Sequence, residues 1–419
     1  MNRTSHFVTA LIALLSLDIL TPASGQTTYG LQQNVIPWQQ GLYLGGYDVL
    51  SNTWVYGDTL PYAEGFALGS STYDQWEDGY VFLGVPSGGG SVQWMSQPVD
   101  GSDASLTPMT GNVHSVHHDM QNGNFYALEG YPTDSIYVDF GGEFGYWDYL
   151  DWGTRLVKLN PFGDAVTAVP LYEMPWLNGV VAGASCYDSD THRFFIWGIN
   201  SAGTSALTTL DASTGEIVWN VPIVTPGNLS EFEYNIEDGQ LIGLRSIVDG
   251  AGNADMSLIT VDPETGTVTD QLDLPQVGSY TPDGTVFDQL NGLYIMHYYQ
   301  GIGLNSHVLA VDVATWEVVA DHALDANFLE LEMSNADFAD LRYGVAAVND
   351  PAALEVRLEA GRWVNAGPEA LWVSRFDAAG RCAQTERLGQ GEAMEVPGGW
   401  WIWSFAGQNH RASRTTFRP

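Results

Sequence analysis

The chain is written in short runs of β-branched and aromatic residues broken by turn residues, an all-strand pattern, and residues 207–219 set the form of the rest. From Thr208 they read TTLDASTGEIVW: a strand, then Asp-x-x-Thr-Gly, then a second strand. In such a unit the Asp accepts backbone N–H groups at the start of the turn and the Gly supplies φ > 0 at its end, which predicts a β-hairpin. The unit recurs. Asp262-Pro263-Glu264-Thr265-Gly266 is a second copy, and Asp312–Trp316 a third with Trp in the Gly slot. Asn160-Pro161-Phe162-Gly163 and Asp48–Asn52 follow the same plan, and Asp100–Ala104 is the most degraded copy. From Asp48 the spacings are 52, 60, 51, 51 and 50 residues. A period near fifty in an all-strand chain predicts propeller blades rather than a sandwich.

Before each of these turns stands a second marker, an aromatic residue or His followed by Asp or Asn, with an aromatic or apolar residue six or seven positions on. The instances are Tyr73-Asp74, His118-Asp119, Tyr187-Asp188, Tyr234-Asn235 and Phe287-Asp288. They predict the inner hairpin of each blade, with the aromatics packed between neighbouring sheets. Five complete four-stranded units begin near Gly65, Asn112, Val180, Asn228 and Ser279. Residues 42–60 read as an outer hairpin alone and residues 327–344 as an inner hairpin alone. Each half exposes an unpaired edge; joined, they predict a sixth blade that closes the ring. The fold expected is an all-β, six-bladed β-propeller over 26–347, closed by N- and C-terminal half-blades, with a small antiparallel β-sandwich over 348–419.

One blade is longer than the others. Residues 131–154 carry Tyr137, Phe140, Phe144, Tyr146, Trp147, Tyr149 and Trp152, interleaved with Asp134, Asp139, Glu143, Asp148 and Asp151. An insertion on a repeat scaffold maps to one face, often the binding face. It reads either as an extra hairpin packed on the blade rim or as a platform for carbohydrate or peptide, with Tyr146, Trp147 and Trp152 as the ligand-binding candidates.

Residues 1–25 change the picture from fold to destination. One Arg, an apolar run from about Phe7 to Leu20 broken by Asp18, and small residues before Gln26 read as a signal peptide cut near Gly25, not as a membrane anchor. No later stretch approaches a membrane-spanning helix, so the mature chain is expected to be secreted or held at the outer cell surface.

The net charge is −36. Without Arg3 and Asp18 the 14 basic and 50 acidic residues become 13 and 49. From Asp350 onward, eight of each leave a net charge of zero, so the whole excess lies before it, as 41 acids against five bases. So sharp a step marks a domain boundary, and so few cations exclude nucleic acid or anionic lipid as partners of the first domain. Surface carboxylates that keep an exported protein soluble account for the excess, with calcium bound in acidic loops as the sharper alternative. The two cysteines, Cys186 and Cys382, fall on either side of the boundary and make no disulfide framework.

Beyond Val348 short alternating strands recur. Phe376-Asp377-Ala378-Ala379-Gly380-Arg381 is followed by Val396-Pro397-Gly398-Gly399-Trp400-Trp401-Ile402-Trp403 and a closing basic strand. This stretch of about 70 residues resembles the C-terminal sorting domain of the bacterial type IX secretion system. The resemblance implies contact with the secretion machinery, passage across the outer membrane, removal of the tail, and release or surface attachment of the propeller. The family's Pro-Asn-Pro near the domain start is replaced here by Asn349-Asp350-Pro351.

Candidate chemistry is sparse. His114, His117 and His118 lie on one strand, where the first and last point one way and the second the other, so they do not converge on one ion. Glu231, Glu233, Glu330 and Glu332 fall at period two on two innermost strands, with Asp283 able to join them. They are the metal candidates, because carboxylates meeting at an axial channel mouth bind calcium in six-bladed lactonases and phytases. Gly-x-Ser-x-Gly, His-Glu-x-x-His and the sialidase-type Asp box are absent from the sequence. The stretch from Asp211 to Trp219 resembles the docking repeat of quinoprotein dehydrogenases, but matches it well only once. Asp188-x-Asp190 and Asp100-x-x-Asp103 lack the full twelve-residue calcium loop. No catalytic residue and no cofactor beyond calcium is indicated. The reading is therefore an exported, non-catalytic propeller that acts as a secreted or cell-surface binding or adhesion module for an extracellular glycan or protein. The alternative is a calcium-dependent hydrolase or lyase with its site at the axial channel.

Overall fold

Strand order alone defines the architecture. The computed structural model describes residues 26–33, 42–139, 145–161, 164–200, 203–248, 254–301 and 305–343, together with seven strands between Val356 and Arg418. The expected leader, 1–25, and the boundary near Asp350 lie outside the described residues. The chain opens with β1 (Thr27–Gln33), β2 (Leu42–Asp48) and β3 (Thr53–Leu60). Blade I follows, with its inner strand in two pieces, β4 (Ala63–Phe66) and β5 (Thr72–Asp74), both paired to β6 (Gly79–Pro86), then β7 (Gln93–Pro98) and β8 (Ser105–Pro108). Blade II is β9 (Asn112–His118), β10 (Phe125–Asp139), β11 (Gly145–Asn160) and β12 (Thr167–Met174). Blade III is β13 (Leu177–Asp188), β14 (Arg193–Asn200), β15 (Ser205–Asp211) and β16 (Ile217–Pro222). Blade IV is β17 (Asn228–Asn235), β18 (Gln240–Val248), β19 (Ala254–Val261) and β20 (Val268–Asp273). Blade V is β21 (Ser279–Asp288), β22 (Leu293–Gln300), β23 (Asn305–Asp312) and β24 (Glu317–Ala323).

The sixth blade has the order β25 (Leu329–Met333), β1, β2, β3, so the chain is a six-bladed propeller closed by strands from both ends. The closure differs from the expected two-plus-two. The C-terminal side gives one strand and the N-terminal side three. After Met333 the sequence ADFADLRY has no β-branched residue and forms the helix α1 (Ala336–Tyr343), begun at Asn335, whose carbonyl accepts the Ala339 N–H at 2.8 Å. The strand missing from that side is TTYGLQQ, paired on one edge with Leu329–Met333 and on the other with Leu42–Asp48.

The turn markers among the described residues act as their chemistry dictates, while Phe162 and Gly163 of the Asn160 turn lie outside those residues. The Asp211 carboxylate accepts the N–H groups of Ser213 and Thr214 at 2.8 and 3.1 Å, and Asp262 does the same for Glu264 and Thr265. At the inner turns Asp74 accepts Trp76 and Glu77, and Asp288 accepts Leu290 and Asn291. Trp316, in the Gly slot, carries φ 56°. Gly215 has φ 78°, and a Cβ there would come within 2.6 Å of the Leu171 carbonyl oxygen.

Each inter-blade interface has its own apolar cluster, six in all. Period-two alternation makes this possible, because one strand feeds two interfaces. Phe194 and Ile196 face blade II while Phe195 faces blade IV; Tyr80 and Phe82 face the closing blade while Val81 and Leu83 face blade II. Aromatic pairs stack across these seams, Tyr29 on Tyr73 at 5.1 Å, Tyr126 on Tyr187 at 5.3 Å and Phe195 on Tyr234 at 4.9 Å between ring centroids. Helix α1 adds Phe338 and Ala339 to the cluster between blades III and IV, and its Arg342 pairs with Asp190.

Beyond the propeller, β26 (Val356–Glu359), β27 (Arg362–Asn365) and β30 (Ala393–Glu395) form one sheet. A second is made of β28 (Leu371–Phe376), β29 (Cys382–Leu388), β31 (Gly399–Ala406) and β32 (Arg411–Arg418). Asp377–Arg381, Val396–Gly398 and Asn349–Pro351, which carry part of the sorting-domain resemblance, lie outside the described residues.

Candidate functional site: the axial shaft and the blade II ribbon

On every innermost strand one residue breaks the ladder and turns left-handed. The six are Gly69 (φ 71°), Ser115 (53°), Gly183 (71°), Glu231 (56°), Asp283 (52°) and Glu330 (52°). Five coincide with a shift in pairing register, and in blade I Gly69 sits in the gap between β4 and β5. A left-handed residue without glycine's freedom is uncommon, and four of the six are not glycine.

These residues lock neighbouring blades together at the axis. The Glu330 carboxylate accepts the Gly69 N–H at 2.9 and 3.1 Å and the Ser70 N–H at 3.2 Å. Ser115 N–H donates to the Gly69 carbonyl. Glu231 Oε2 accepts the Gly284 N–H at 3.2 Å, while its Oε1 is buried without a hydrogen-bond partner. Gly183 makes room for that carboxylate: a Cβ there would lie 2.5 Å from Glu231 Oε1. Asp283 likewise has one oxygen, Oδ2, that is buried and unpartnered.

Two residues further along each strand lies a second ring: Ser71, His117, Ser185, Glu233, Thr285 and Glu332, all lining one axial cavity of about 70 Å³. It pairs off across three seams. Ser71 Oγ donates to Glu332 at 2.7 Å, Thr285 Oγ1 donates to Glu233 at 3.0 Å, and His117 Nε2 meets Ser185 Oγ at 2.9 Å. A second axial cavity, about 110 Å³, lies towards the inner turns and α1.

The electrostatics follow from burial. Desolvation pushes Glu233 and Glu330 up to about 8 and Asp283 to about 6, and raises Glu231 and Glu332 well above the usual carboxylate range, with neighbouring carboxylates as a further cause. Burial lowers His117 to about 4. The residues lining both cavities include no Lys or Arg.

The sequence candidates distribute as follows. Glu233, Glu332 and Asp283 line the shaft, with Glu231 and Glu330 buried beside it, and the next blade engages each of the four glutamates across a seam. Among the described residues no group of three or more His, Cys, Asp or Glu is placed to hold a metal ion. His114 and His117 fall on one face and His118 on the other, not His114 with His118 as strict alternation predicts, because the left-handed Ser115 shifts the register: His114 pairs with Leu128, His117 with Tyr126 and His118 with Phe125. His114 Nδ1 faces Ser115 Oγ at 3.1 Å, His117 enters the shaft, and His118 packs on Phe125 with its Nε2 3.4 Å from Asp74. Asp190 is held by Arg342 and Tyr343, and Asp100 caps Ser102. The sequence pattern points to Glu231, Asp283 and Glu330 but not to Gly69, Ser115 and Gly183 at the equivalent left-handed positions, nor to Ser71, Ser185 and Thr285. Their signal was countable: each left-handed residue stands four or five places before the Asp or Asn of its inner turn.

The long segment of blade II is a ribbon. Strands β10 and β11 stay paired out to Asp139↔Gly145, whereas the inner neighbour stops at Gly130↔Asn112 and the outer at Thr154↔Met174. The overhang is about 30 Å at about 3.3 Å per residue. Tyr137 stands opposite Trp147, Ser135 opposite Tyr149 and Val138 opposite Tyr146 in the register. At the root Arg155 binds Glu129 at 2.8 Å and lies over the Tyr131 ring, 4.7 Å from its centroid. Trp152 is 51% exposed. Phe140, Glu143 and Phe144 lie outside the described residues.

No protein-family model and no curated protein matches this chain. Solved propeller structures resemble it at low identity. A nidogen/laminin complex matches at 9% identity over 74% of this chain and 99% of that chain, with a TM-score of 0.45. TolB from Acinetobacter baumannii matches at 13% identity over 88% and 82%, with a TM-score of 0.37. An oligogalacturonate lyase from Vibrio parahaemolyticus matches at 9% over 72% and 86%, with a TM-score of 0.39. Similarity this distant assigns no activity, and the six-bladed architecture stands on the strand order of the chain itself.

Proposed function

We propose that this protein is an exported, non-catalytic propeller that binds an extracellular glycan or protein through the ribbon of blade II. The observation that carries the reading is the overhang of β10 and β11 beyond their blade, with Trp152 exposed on it and Tyr146 and Trp147 further out on the same strand. The shaft supports the same reading by default. Its cavities, about 70 and 110 Å³, are too small for a sugar or peptide, and the ring of polar side chains around the smaller one is paired across three seams. No helix among the described residues is long and apolar enough to cross a membrane. Export rests on the leader-like residues 1–25, and delivery by the type IX route on the resemblance of 348–419, which we read as a small sandwich-type sorting domain.

The test is a glycan array and surface-protein binding assay on the full chain beside Trp147→Ala and Trp152→Ala. Binding that falls at least tenfold in either variant, with an unchanged melting transition, supports the proposal. Binding that survives both changes, or no binding to any target, refutes it. For the route, removal of 371–419 should leave the propeller inside the outer membrane of its host.

A further inference from the structure

We propose that the axial shaft is a proton-operated latch: hydrogens held on Glu231, Asp283, Glu233, Glu330 and Glu332 keep blades IV, V and VI closed on their neighbours, and their loss in alkali loosens the ring. The argument begins with placement. Five carboxyl groups stand on three consecutive inner strands at the axis, Glu233, Asp283 and Glu332 lining one narrow cavity and Glu231 and Glu330 buried beside it, and two of their oxygens, Glu231 Oε1 and Asp283 Oδ2, have no hydrogen-bond partner. A carboxylate oxygen in that position has no protein donor to satisfy it, whereas a carboxylic acid loses little.

The groups facing these five offer no compensating charge. Glu231 and Glu233 look onto Asp283, onto each other and onto Tyr294, Glu231 also onto Tyr280, and Glu233 also onto Cys186 and Glu332. Glu330 and Glu332 look onto Asp283, onto each other and onto Tyr80. From blade II comes His117, whose imidazole stays neutral down to about pH 4, and His118 with Asp74 flanks the second cavity. A second ionisation in the shaft therefore places like charges together with no cation between them.

The sign follows from the direction of the shifts. Folding raises the affinity of these groups for protons, so the stability they lend is complete below their ordinary range and is lost as pH climbs through about 6 to 8 and beyond. Ordinary surface carboxylates are already ionised by pH 6 and add no slope there.

The experiment is a thermal melt of the full chain from pH 6 to 9.5 at fixed ionic strength in EDTA, beside Glu231→Gln, Glu332→Gln and the double variant. The wild-type midpoint should fall by at least about 5 °C over this range, and the double variant should lose most of that slope. Should a variant fail to fold, amide exchange on the wild type serves instead. Corrected for intrinsic rates, the segments bearing Gly69, Ser70 and Gly284 should lose protection as pH rises, ahead of the outer strands. A flat or rising wild-type profile, an unaltered slope in the variants, or exchange that speeds up equally everywhere would overturn the latch. So would a midpoint at pH 7 that calcium raises and EDTA lowers, since a metal cation would then occupy the shaft in place of protons.

Discussion

The Glu330 carboxylate accepts the backbone N–H of Gly69 from a distance of 261 residues along the chain, at 2.9 Å. Glu330 belongs to the last strand of the ring and Gly69 to the first complete blade, so one buried side chain bridges the seam where the circle is shut. With Ser70 it satisfies two amides that a bulged strand leaves without ladder partners.

Glu330→Ala should therefore destabilise the propeller by about 2–4 kcal/mol, because two buried N–H groups lose their acceptor. Glu330→Gln keeps an oxygen in place and should cost about 1 kcal/mol or less near neutral pH. Urea midpoints of the two variants, compared at pH 6, check the difference.

The seams between blades carry most of the apolar burial, and Phe194, fully buried among Tyr126, Leu128 and Leu210, is typical of them. Phe194→Ala should lower stability by about 3–5 kcal/mol through lost transfer energy and the cavity left behind. Differential scanning calorimetry measures it directly.

The ribbon should be dispensable to the fold. Replacing residues 133–151 by Asn-Gly leaves Tyr131 opposite Gly153 and supplies a two-residue hairpin turn. The melt should stay within about 3 °C of wild type, since shortening a surface connection changes closure entropy little. Binding should disappear with the ribbon.

Acid should act on a different set of groups from alkali. Burial lowers His117, His118 and His297 to about 4, so each is held neutral in the fold and takes a proton more readily once unfolded. Their contribution is complete above the ordinary imidazole range and is lost as pH falls from about 6.5 to 4. His297, between Thr281 and Ser306, is the clearest case, and His297→Gln should flatten the acid limb of stability against pH by roughly one proton's slope. Urea titrations between pH 4.5 and 7 report that slope.

Ending the chain before Leu329 removes the inner strand of the closing blade and should yield insoluble protein. Ending it after Val345 keeps β25 and α1 and should yield a soluble, cooperative propeller. Solubility and the sharpness of the melt separate the two.

Blade number and most turn positions were legible because they depend on local chemistry. An Asp that caps the next two amides and a residue that tolerates φ > 0 announce themselves at Asp211 and Gly215, and even through the substitution at Trp316. Alternation then assigned the aromatics to the seams. The division of the closing blade was misjudged because 329–333 and 336–343 are both short and polar-apolar mixed. Only the lack of β-branched residues in ADFADLRY, and the strand TTYGLQQ at residues 27–33, distinguish helix from strand there. The glutamates of the shaft were found by their period of two, but the bulge that turns Glu231 and Glu330 left-handed leaves no mark in residue type. At the same position stand Gly, Ser, Glu and Asp. What those side chains touch is decided by the neighbouring blade, which sequence spacing does not reveal.

Three strands come from the start of the chain and a single one from its far end, and this fixes when the circle can form. During synthesis or translocation β1 waits, with one edge bare, until residue 333 has emerged. All five other blades can assemble on one another in the meantime, and blade I can pack on β1–β3, but the sixth blade has no inner strand until then. A chain arrested anywhere earlier is an open arc with two sticky ends, so quality control that recognises bare β edges would single out truncated copies and spare finished ones.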